Sequence, residues 1–230
     1  VLSGAQLAEN GIDNIHDLAY LVPDLSVSLR SPGRTNIIMR GVGNVRGSSS
    51  LVGIYLDEAA VSGQPALQID LQVVDLERVE VLKGPQGTLY GESAAGGVIK
   101  FITNDPRLDH FSGKADVSFS STRDGGLNHR VTAVANFPIV EDVFGLRFSG
   151  TYDNSDGWVD VPTASRENIN DNNLVNAKVK ALWRPVDALE VKGTIIVHRN
   201  EGGGGNAVFS AQKEDSNDRG DTAKRLRVSE

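Results

Sequence analysis

The chain has 230 residues with 30 acidic and 23 basic side chains, and its net charge of −7 argues against nucleic acid as the main partner. It has no cysteine, which excludes disulfides, thiolate metal sites and cysteine nucleophiles. No apolar run approaches the roughly 18 residues of a transmembrane helix, so only β-strands remain as a way to cross a membrane.

The first 107 residues predict a small α+β domain. A helix over 15–21, capped by Asp13 or Asn14, is expected to end before Pro23. Strands interleaved with short helices indicate a small mixed sheet with helical cover. The further elements predicted are one helical turn, at 88–90, and five strands, at 26–29, 36–40, 52–56, 78–82 and 97–102.

The segment 75–106 is dense in glycine, which is typical of tight turns and close backbone packing. A phosphate-binding loop would need a Lys and then a Ser or Thr directly after its last glycine. Here Lys83 precedes the glycines, and no such sequence follows them. The glycines therefore predict structural turns rather than a nucleotide site.

From residue 111, apolar and polar side chains alternate along five segments of about ten residues each. Tight connections at 138–142 and 185–187 alternate with long ones at 154–172 and from 200 onward, and 211–230 is a highly charged loop. One apolar face, with short turns on one side and long loops on the other, is the pattern of outer-membrane β-barrels. Five strands are too few to close a useful barrel.

A soluble β-sandwich also consists of alternating strands, and it gives a second interpretation of the same pattern. In that case the chain is a soluble periplasmic ligand-binding module, made of the α+β half and a sandwich. The two interpretations differ in the environment of the apolar face, which faces lipid in a barrel and a second sheet in a sandwich.

Neither a metal site nor an acid/base pair is predicted. The four histidines are scattered through the chain without the spacing of metal ligands. Asp57 and Glu58 are adjacent carboxylates, which on a strand would point to opposite faces. No catalytic residue is therefore assigned.

Four blocks of the sequence resemble the plug domain of TonB-dependent outer-membrane receptors, in the order in which that family has them. They are DLAYLVPDLSV (17–27), IIMRGVG (37–43), GIYLDE (53–58) and LERVEVLKGPQGTLYGESAAGGVIKFIT (76–103). The resemblance covers essentially the whole chain and is sharper in the first half. It divides the chain into a plug domain over 1–107 and the first part of a transmembrane β-barrel, with about five strands and incomplete here, over 108–230.

The resemblance implies a plug inside a 22-stranded barrel in the outer membrane of a Gram-negative bacterium. Such a receptor takes up a bulky, scarce nutrient with energy from the TonB complex and needs no cofactor. A ferric siderophore is the expected ligand, while haem, cobalamin and oligosaccharides stay open. In this family the segment that contacts TonB lies ahead of the plug, and the sequence has no convincing match for it.

The same resemblance points to candidate ligand-binding residues, because the apical loops of the plug touch the ligand in this family. In this sequence the candidates lie in two polar, glycine-rich loops and are Asn44, Arg46, Gly63 and Gln64.

The polar face of the five segments is strongly basic, whereas residues 1–107 have twelve acidic and eight basic side chains. A basic wall facing an acidic plug would hold it through many modest, screened contacts, although attraction of an anionic nutrient is the alternative. Arg78, Glu80 and Lys83 are candidates for anchoring the plug to the wall, or are solvated strand charges. The polar face has only Asp116 and Glu190 against seven basic side chains, which are Lys114, Arg130, Arg147, Lys178, Lys180, Arg184 and Lys192.

Overall fold

The computed structural model describes residues 1–12, 14–31, 34–43, 50–61, 68–69, 74–91, 94–122, 125–158 and 168–202. Their secondary structure forms an α+β region that extends to Thr103 and a sheet of long strands that begins at Ser112. The predicted boundary at 107/108 falls in the connection between them. The helices are α1 (Gly4–Glu9), α2 (Leu18–Leu21) and α3 (Gly87–Tyr90). The strands are β1 (Leu2–Ser3), β2 (Leu25–Ser31), β3 (Arg34–Met39), β4 (Val42–Gly43), β5 (Val52–Leu56), β6 (Ala59–Ala60), β7 (Gln68–Ile69), β8 (Leu76–Lys83), β9 (Gly97–Thr103), β10 (Ser112–Ser121), β11 (Leu127–Val140), β12 (Phe144–Ser155), β13 (Asn172–Val186) and β14 (Leu189–Gly202).

The α+β region is built on a five-stranded mixed sheet with the strand order β1-β8-β9-β5-β6. Strand β5 runs parallel to β9, while β8 runs antiparallel to β9. The ends of β5 and β9 and the start of β8 consequently lie at one edge of the sheet. Strands β2, β3, β4 and β7 form a second, smaller sheet.

The core of this region is apolar and well buried. Val79 and Ile99 are fully buried on the sheet, and Phe101 is 1% exposed. Leu7 of α1 and Leu18 of α2 pack into the same cluster. Among the described residues, no helix is long and apolar enough to cross a membrane.

The predicted helix over 15–21 is shorter in the structure, where α2 covers only Leu18–Leu21. Asn14 and Asp17 exchange backbone-to-side-chain hydrogen bonds of 3.1 and 3.3 Å, and this local pairing holds 14–17 in a turn instead of a helix. The sequence prediction also missed α1, which begins with a capping box between Ser3 and Gln6.

The glycine-rich segment turns tightly inside the α+β region, as predicted. Gly97 has a φ of +149°, and a Cβ there would lie 2.3 Å from Met39 Sδ and 2.5 Å from the Leu82 carbonyl oxygen. Gly91 ends α3 with a φ of +76°. Both positions require glycine, because an L side chain would be strained in either conformation.

The second half is a five-stranded antiparallel sheet, called the wall sheet below, with its strands paired in sequence order. Four of its five strands are longer than the predicted ten residues or so, and β10 has ten. Strand β11 passes through Pro138 and β13 through Pro185, each with a register shift near the strand end where a proline is tolerated. The tight turns therefore shrink to 141–143 and 187–188, and β14 continues to Gly202. The charged loop predicted at 211–230 lies outside the described residues.

The two faces of the wall sheet differ as the alternation predicts. The apolar face is open, with Phe119 79% exposed and Ile195 69% exposed. The polar face turns toward the α+β region. A β-sandwich would bury the apolar face under a second sheet, and none covers it in the part of the chain that the structure describes. The wall sheet has the pattern of transmembrane barrel strands, and within the described ranges no further strand pairs with either of its edges.

Candidate functional site

The α+β region meets the wall sheet at the edge where β5 and β9 end and β8 begins. Asp57 directly follows β5, and Asp75 directly precedes β8. Both have left-handed backbones, with φ of 51° and 56°, which aspartate tolerates better than most residues. Thr103 ends β9 between them. The strand directions thus bring residues far apart in sequence to one edge that faces the wall.

The strongest contact across this boundary joins Asp75 to Arg147 of β12. Arg147 Nε lies 2.8 Å from Asp75 Oδ2, and Nη2 lies 2.6 Å from Oδ1. The Asp75 side chain is 2% exposed, and Asn104 Nδ2 also donates to it at 2.9 Å. A two-pronged, charge-assisted contact of this kind fixes geometry as well as adding energy.

A second contact centres on Lys180 of β13. Its Nζ lies 2.6 Å from Asp105 Oδ1 and 3.5 Å from Asp57 Oδ2, and it donates to Thr103 Oγ1 at 3.0 Å. Thr103 N in turn donates to Asp57 Oδ1 at 2.8 Å. Lys192 of β14 reaches Asp105 Oδ2 at 2.6 Å. Asp105 therefore bridges two wall strands.

The carboxyl group of Asp105 is ionised in this setting. Burial works to raise its pKa, but the hydrogen bonds from Lys180 and Lys192 outweigh that effect and hold the pKa below its ordinary value.

A buried amide, that of Asn136, also holds the connection between the two regions. Asn136 of β11 accepts a hydrogen bond from Arg107 N at 2.8 Å and donates to the carbonyl oxygens of Arg107 and His110 at 3.0 and 2.9 Å. Asn136 is fully buried. It therefore holds the chain in place just before β10 begins.

These contacts form one unit, which we call the plug–wall cluster. Buried ion pairs contribute little net stability, but removing one partner leaves an uncompensated charge and costs several times more. The unit is suited to fixing the position of one region on the other rather than to catalysis. Its members are Asp57, Asp75 and Asp105 on one side and Arg147, Lys178, Lys180 and Lys192 on the other.

Of the seven basic side chains that the sequence predicts on the polar face of the wall, four contact carboxylates of the plug at this boundary. Two others pair within the wall sheet, Arg130 with Asp153 at 2.6 Å and Arg184 with Glu190 at 2.5 Å. Lys114 lines a cleft of about 500 Å³ between α1 and the wall.

The predicted anchoring residues contact partners inside the α+β region. Arg78 Nε donates to Glu80 Oε1 at 2.8 Å, and Arg78 also pairs with Glu77. Lys83 Nζ donates to the Pro23 carbonyl oxygen at 2.7 Å. Arg78 does line a cleft of about 710 Å³ that Lys180 and Lys192 also border. The anchoring role of Arg78, Glu80 and Lys83 stays a prediction.

The predicted ligand-binding residues, Asn44, Arg46, Gly63 and Gln64, lie outside the described residues. Among the residues that the structure does describe, no group of three or more His, Cys, Asp or Glu side chains is placed to hold a metal ion.

Asp57 and Glu58, the adjacent carboxylates, lie in a turn after β5 and not on a strand as the sequence prediction assumed. The left-handed backbone at Asp57 ends the strand there. Glu58 is 90% exposed and pairs with Lys100 at 2.7 Å, while Asp57 turns to Thr103 and the wall. Sequence reasoning missed Asp57, Asp75 and Asp105 as docking residues. Their common signal is an aspartate beside the end of a predicted strand.

A sequence model of the TonB-dependent Receptor Plug Domain matches residues 1–98. The pesticin receptor of Yersinia pestis is 33% identical over 110 residues, which are 46% of this chain and 16% of that receptor. The vitamin B12 transporter BtuB of Vibrio vulnificus is 30% identical over 135 residues, covering 54% of this chain and 22% of that protein.

Solved structures match a longer part of this chain than the two sequence relatives do. The ferric yersiniabactin uptake receptor FyuA from Yersinia pestis has a TM-score of 0.70 at 25% identity, covering 81% of this chain and 28% of that chain. The siderophore receptor PirA from Acinetobacter baumannii has a TM-score of 0.63 at 19% identity, covering 86% of this chain and 31% of that chain, and shows a likeness of fold alone. The chain spans less than a third of the length of each of these relatives.

The relatives are receptors and transporters, and their fold accounts for both halves of this chain. The α+β region corresponds to the plug, and the wall sheet corresponds to barrel strands whose polar face receives it. Residues 1–98 therefore match the plug domain of TonB-dependent receptors, and the wall sheet that follows matches antiparallel strands of a receptor barrel.

Proposed function

We propose that this chain is the plug and the adjoining wall of a receptor that takes up a ferric-siderophore-type complex across the outer membrane of a Gram-negative bacterium. TonB supplies the energy in this proposal. The observation that carries it is the plug–wall cluster, which holds a separately folded plug against the polar face of barrel strands. The name of one similar protein supports the ligand class, since FyuA is a ferric yersiniabactin uptake receptor.

The chemistry of the boundary suits a plug that moves. The interior of the plug is apolar and close-packed, with Val79 and Ile99 fully buried. Its boundary with the wall includes several ion pairs and polar contacts, and clefts of about 500 and 710 Å³ open beside them. Water can replace polar contacts far more readily than it can replace a core. The plug can therefore shift against the wall while its own sheet stays folded.

Ligand contact is proposed for the apical loops of the plug, through Asn44, Arg46, Gly63 and Gln64. Ferric siderophores carry anionic oxygen ligands around the metal, and Arg46 supplies a cation that pairs with such a complex. Ligand binding there would bias the plug toward the state that TonB engages. The TonB-contacting segment is not assigned to any residue.

The proposal is tested by transport in a strain that lacks the gene and is complemented with it. We expect TonB-dependent uptake of a ferric siderophore from a panel that also contains haem and cobalamin. Uptake of cobalamin or haem alone would overturn the ligand class, and uptake that persists without TonB would overturn the mechanism.

The ligand site is tested separately by Arg46→Ala, with Arg40→Ala as the control because Arg40 is an exposed arginine at the end of β3. Loss of a hydrogen bond to a charged group costs about 1.5–3 kcal/mol, so Arg46→Ala should raise the half-saturating ligand concentration about tenfold or more. Equal behaviour of the two variants would remove Arg46 from the ligand site.

A further inference from the structure

Lys178 is a buried cation whose contacts are unusually long. Its side chain is 7% exposed, and its Nζ lies 3.5 Å from the Asp75 carbonyl oxygen and 3.7 Å from Asp75 Oδ2. Charged hydrogen bonds are ordinarily about 2.7–2.9 Å long. The Asp75 carboxylate already accepts from Arg147 and Asn104. An ammonium group has three donors, and those of Lys178 are poorly used.

The charges of the plug–wall cluster do not balance among the described residues. Four cations of the wall face three carboxylates of the plug. Lys192 also pairs with Glu190 of the wall, which Arg184 shares, so with these two the count is five cations against four carboxylates. The pairs of Lys180 and Lys192 with Asp57 and Asp105 are neutral as a group. The excess positive charge therefore lies where Arg147 and Lys178 share Asp75. A buried charge without a counter-charge is costly, so an anion at this point would stabilise the cluster.

A small cavity lies beside Lys178, with a volume of about 40 Å³. This is enough for one occupant of about the size of a water molecule. The plug covers it with apolar side chains, including Leu76 and Phe101. The wall lines it with groups that donate hydrogen bonds, which are Ser149, Thr151, Asn176, Lys178 and His198.

His198 provides a second and independent observation at the same cavity. Its Nδ1 is buried and has no hydrogen-bond partner among the described residues. Buried polar atoms are almost always paired in folded proteins, so an unpaired one indicates a bound ion or water. An imidazole Nδ1–H donates to an anion, as does the nearby Lys178 ammonium.

We propose that this cavity binds a chloride ion, which neutralises the excess charge of the plug–wall cluster. Chloride fits a cavity of this size, can accept hydrogen bonds from donor groups of the wall such as Lys178 and His198, and brings the missing negative charge. A water molecule fits as well but supplies no charge. The site is too small for a nutrient complex and does not depend on the proposed uptake function. Chloride bound there strengthens the attachment of the plug to the wall.

The direct test is anomalous diffraction from crystals of the full receptor soaked in bromide, which replaces chloride and scatters anomalously. We expect a bromide peak within hydrogen-bonding distance of Lys178 Nζ. Lys178→Met should lose the peak, whereas Lys114→Met should keep it, because Lys114 is a wall lysine that lines a different cleft. A water molecule without a bromide peak in the unmodified receptor would overturn the proposal, and so would a full peak in Lys178→Met.

A measurement in solution guards against binding only at crystal concentrations. The thermal unfolding midpoint of the receptor is compared in sodium chloride and sodium gluconate at equal ionic strength. We expect a higher midpoint in chloride for the unmodified receptor and for Lys114→Met, and no difference for Lys178→Met. If Lys178→Met does not fold, Lys178→Gln takes its place. Equal midpoints in the two salts for the unmodified receptor would contradict a chloride site.

Discussion

The plug and the wall sheet are both built from strands, yet they place their apolar side chains in opposite directions. In the plug, Val79 and Ile99 are fully buried and Phe101 is 1% exposed. In the wall sheet, Val117 is 55% exposed and Phe119 is 79% exposed. The plug folds around an apolar interior, whereas the wall turns its apolar face outward, as a strand does in a bilayer.

This inversion explains why the boundary between the two regions is polar. The plug buries most of its apolar side chains in its own core, and the wall offers its polar face. Charges are then the groups that remain to fix one region on the other. The two hydrogen bonds between Arg147 and Asp75 fix where the plug docks on the wall. These contacts lie outside the apolar core of the plug, so they can break while the core stays folded.

The largest effect is expected from removing the central carboxylate. Asp75→Ala leaves Arg147 and Lys178 buried without their counter-charge, which should cost about 3–5 kcal/mol of plug docking. Urea-induced release of the plug from the detergent-solubilised receptor measures this loss. Asp109→Ala is the control, because Asp109 is exposed and pairs only with its neighbour His110 among the described residues. Equal losses in both variants would show that the cluster does not hold the plug.

The inverted faces of the wall are tested by placing the same charge on neighbouring residues. Val117→Lys puts a charge on the apolar face and should cost about 2–4 kcal/mol in a bilayer if it lies near the midplane. Ser118→Lys puts it on the polar face, in the cleft beside α1, and should cost much less. Folding of the receptor into lipid vesicles in urea gives both values. The reverse order would place the sheet the other way round.

A smaller effect on plug docking is expected from lowering the pH. The folded pKa of Asp105 is below the unfolded value of about 3.9, so Asp105 stabilises docking fully above about pH 4 and loses this contribution as the pH falls below it. Plug release in urea at pH 7 and pH 3 measures the change. Asp105→Asn should show a weaker pH dependence than the unmodified receptor. The same pH dependence in both would remove Asp105 from the cluster.

The smallest effect is expected from an exposed charge pair that joins two residues of the plug. Glu58 is 90% exposed and pairs with Lys100, and such pairs contribute about 0.2–1 kcal/mol. Glu58→Gln should therefore change the urea midpoint of the plug only slightly. A loss as large as that of Asp75→Ala would mean that charge in general, and not the cluster, stabilises the plug.

Much of the fold follows from the sequence, because strand periodicity is a strong local signal. The alternation from residue 111 predicts the apolar and polar faces of the wall, and the prediction of β5 is accurate to the residue. Strand ends were less predictable. Pro138 and Pro185 suggested turns, but each lies inside a strand near a register shift, where its missing N–H is tolerated.

The docking contacts were only partly predictable. The basic composition of the polar face indicates that the wall attracts an acidic plug, and Arg147 and Lys180 do contact it. The partners depend on the order of strands in the plug sheet, which brings Asp57 and Asp75 to one edge. Strand order is a long-range property, and no local pattern of residues encodes it.

A double-mutant cycle between Asp75→Asn and Arg147→Gln tests the central claim most directly, that charged contacts hold the plug on the polar face of the barrel wall. The free energy of plug release in urea is measured for the receptor, both single variants and the double variant. Close charge pairs across an interface couple by about 1.5–7 kcal/mol, and we predict a coupling within this range. Additive losses, with a coupling near zero, would contradict the account.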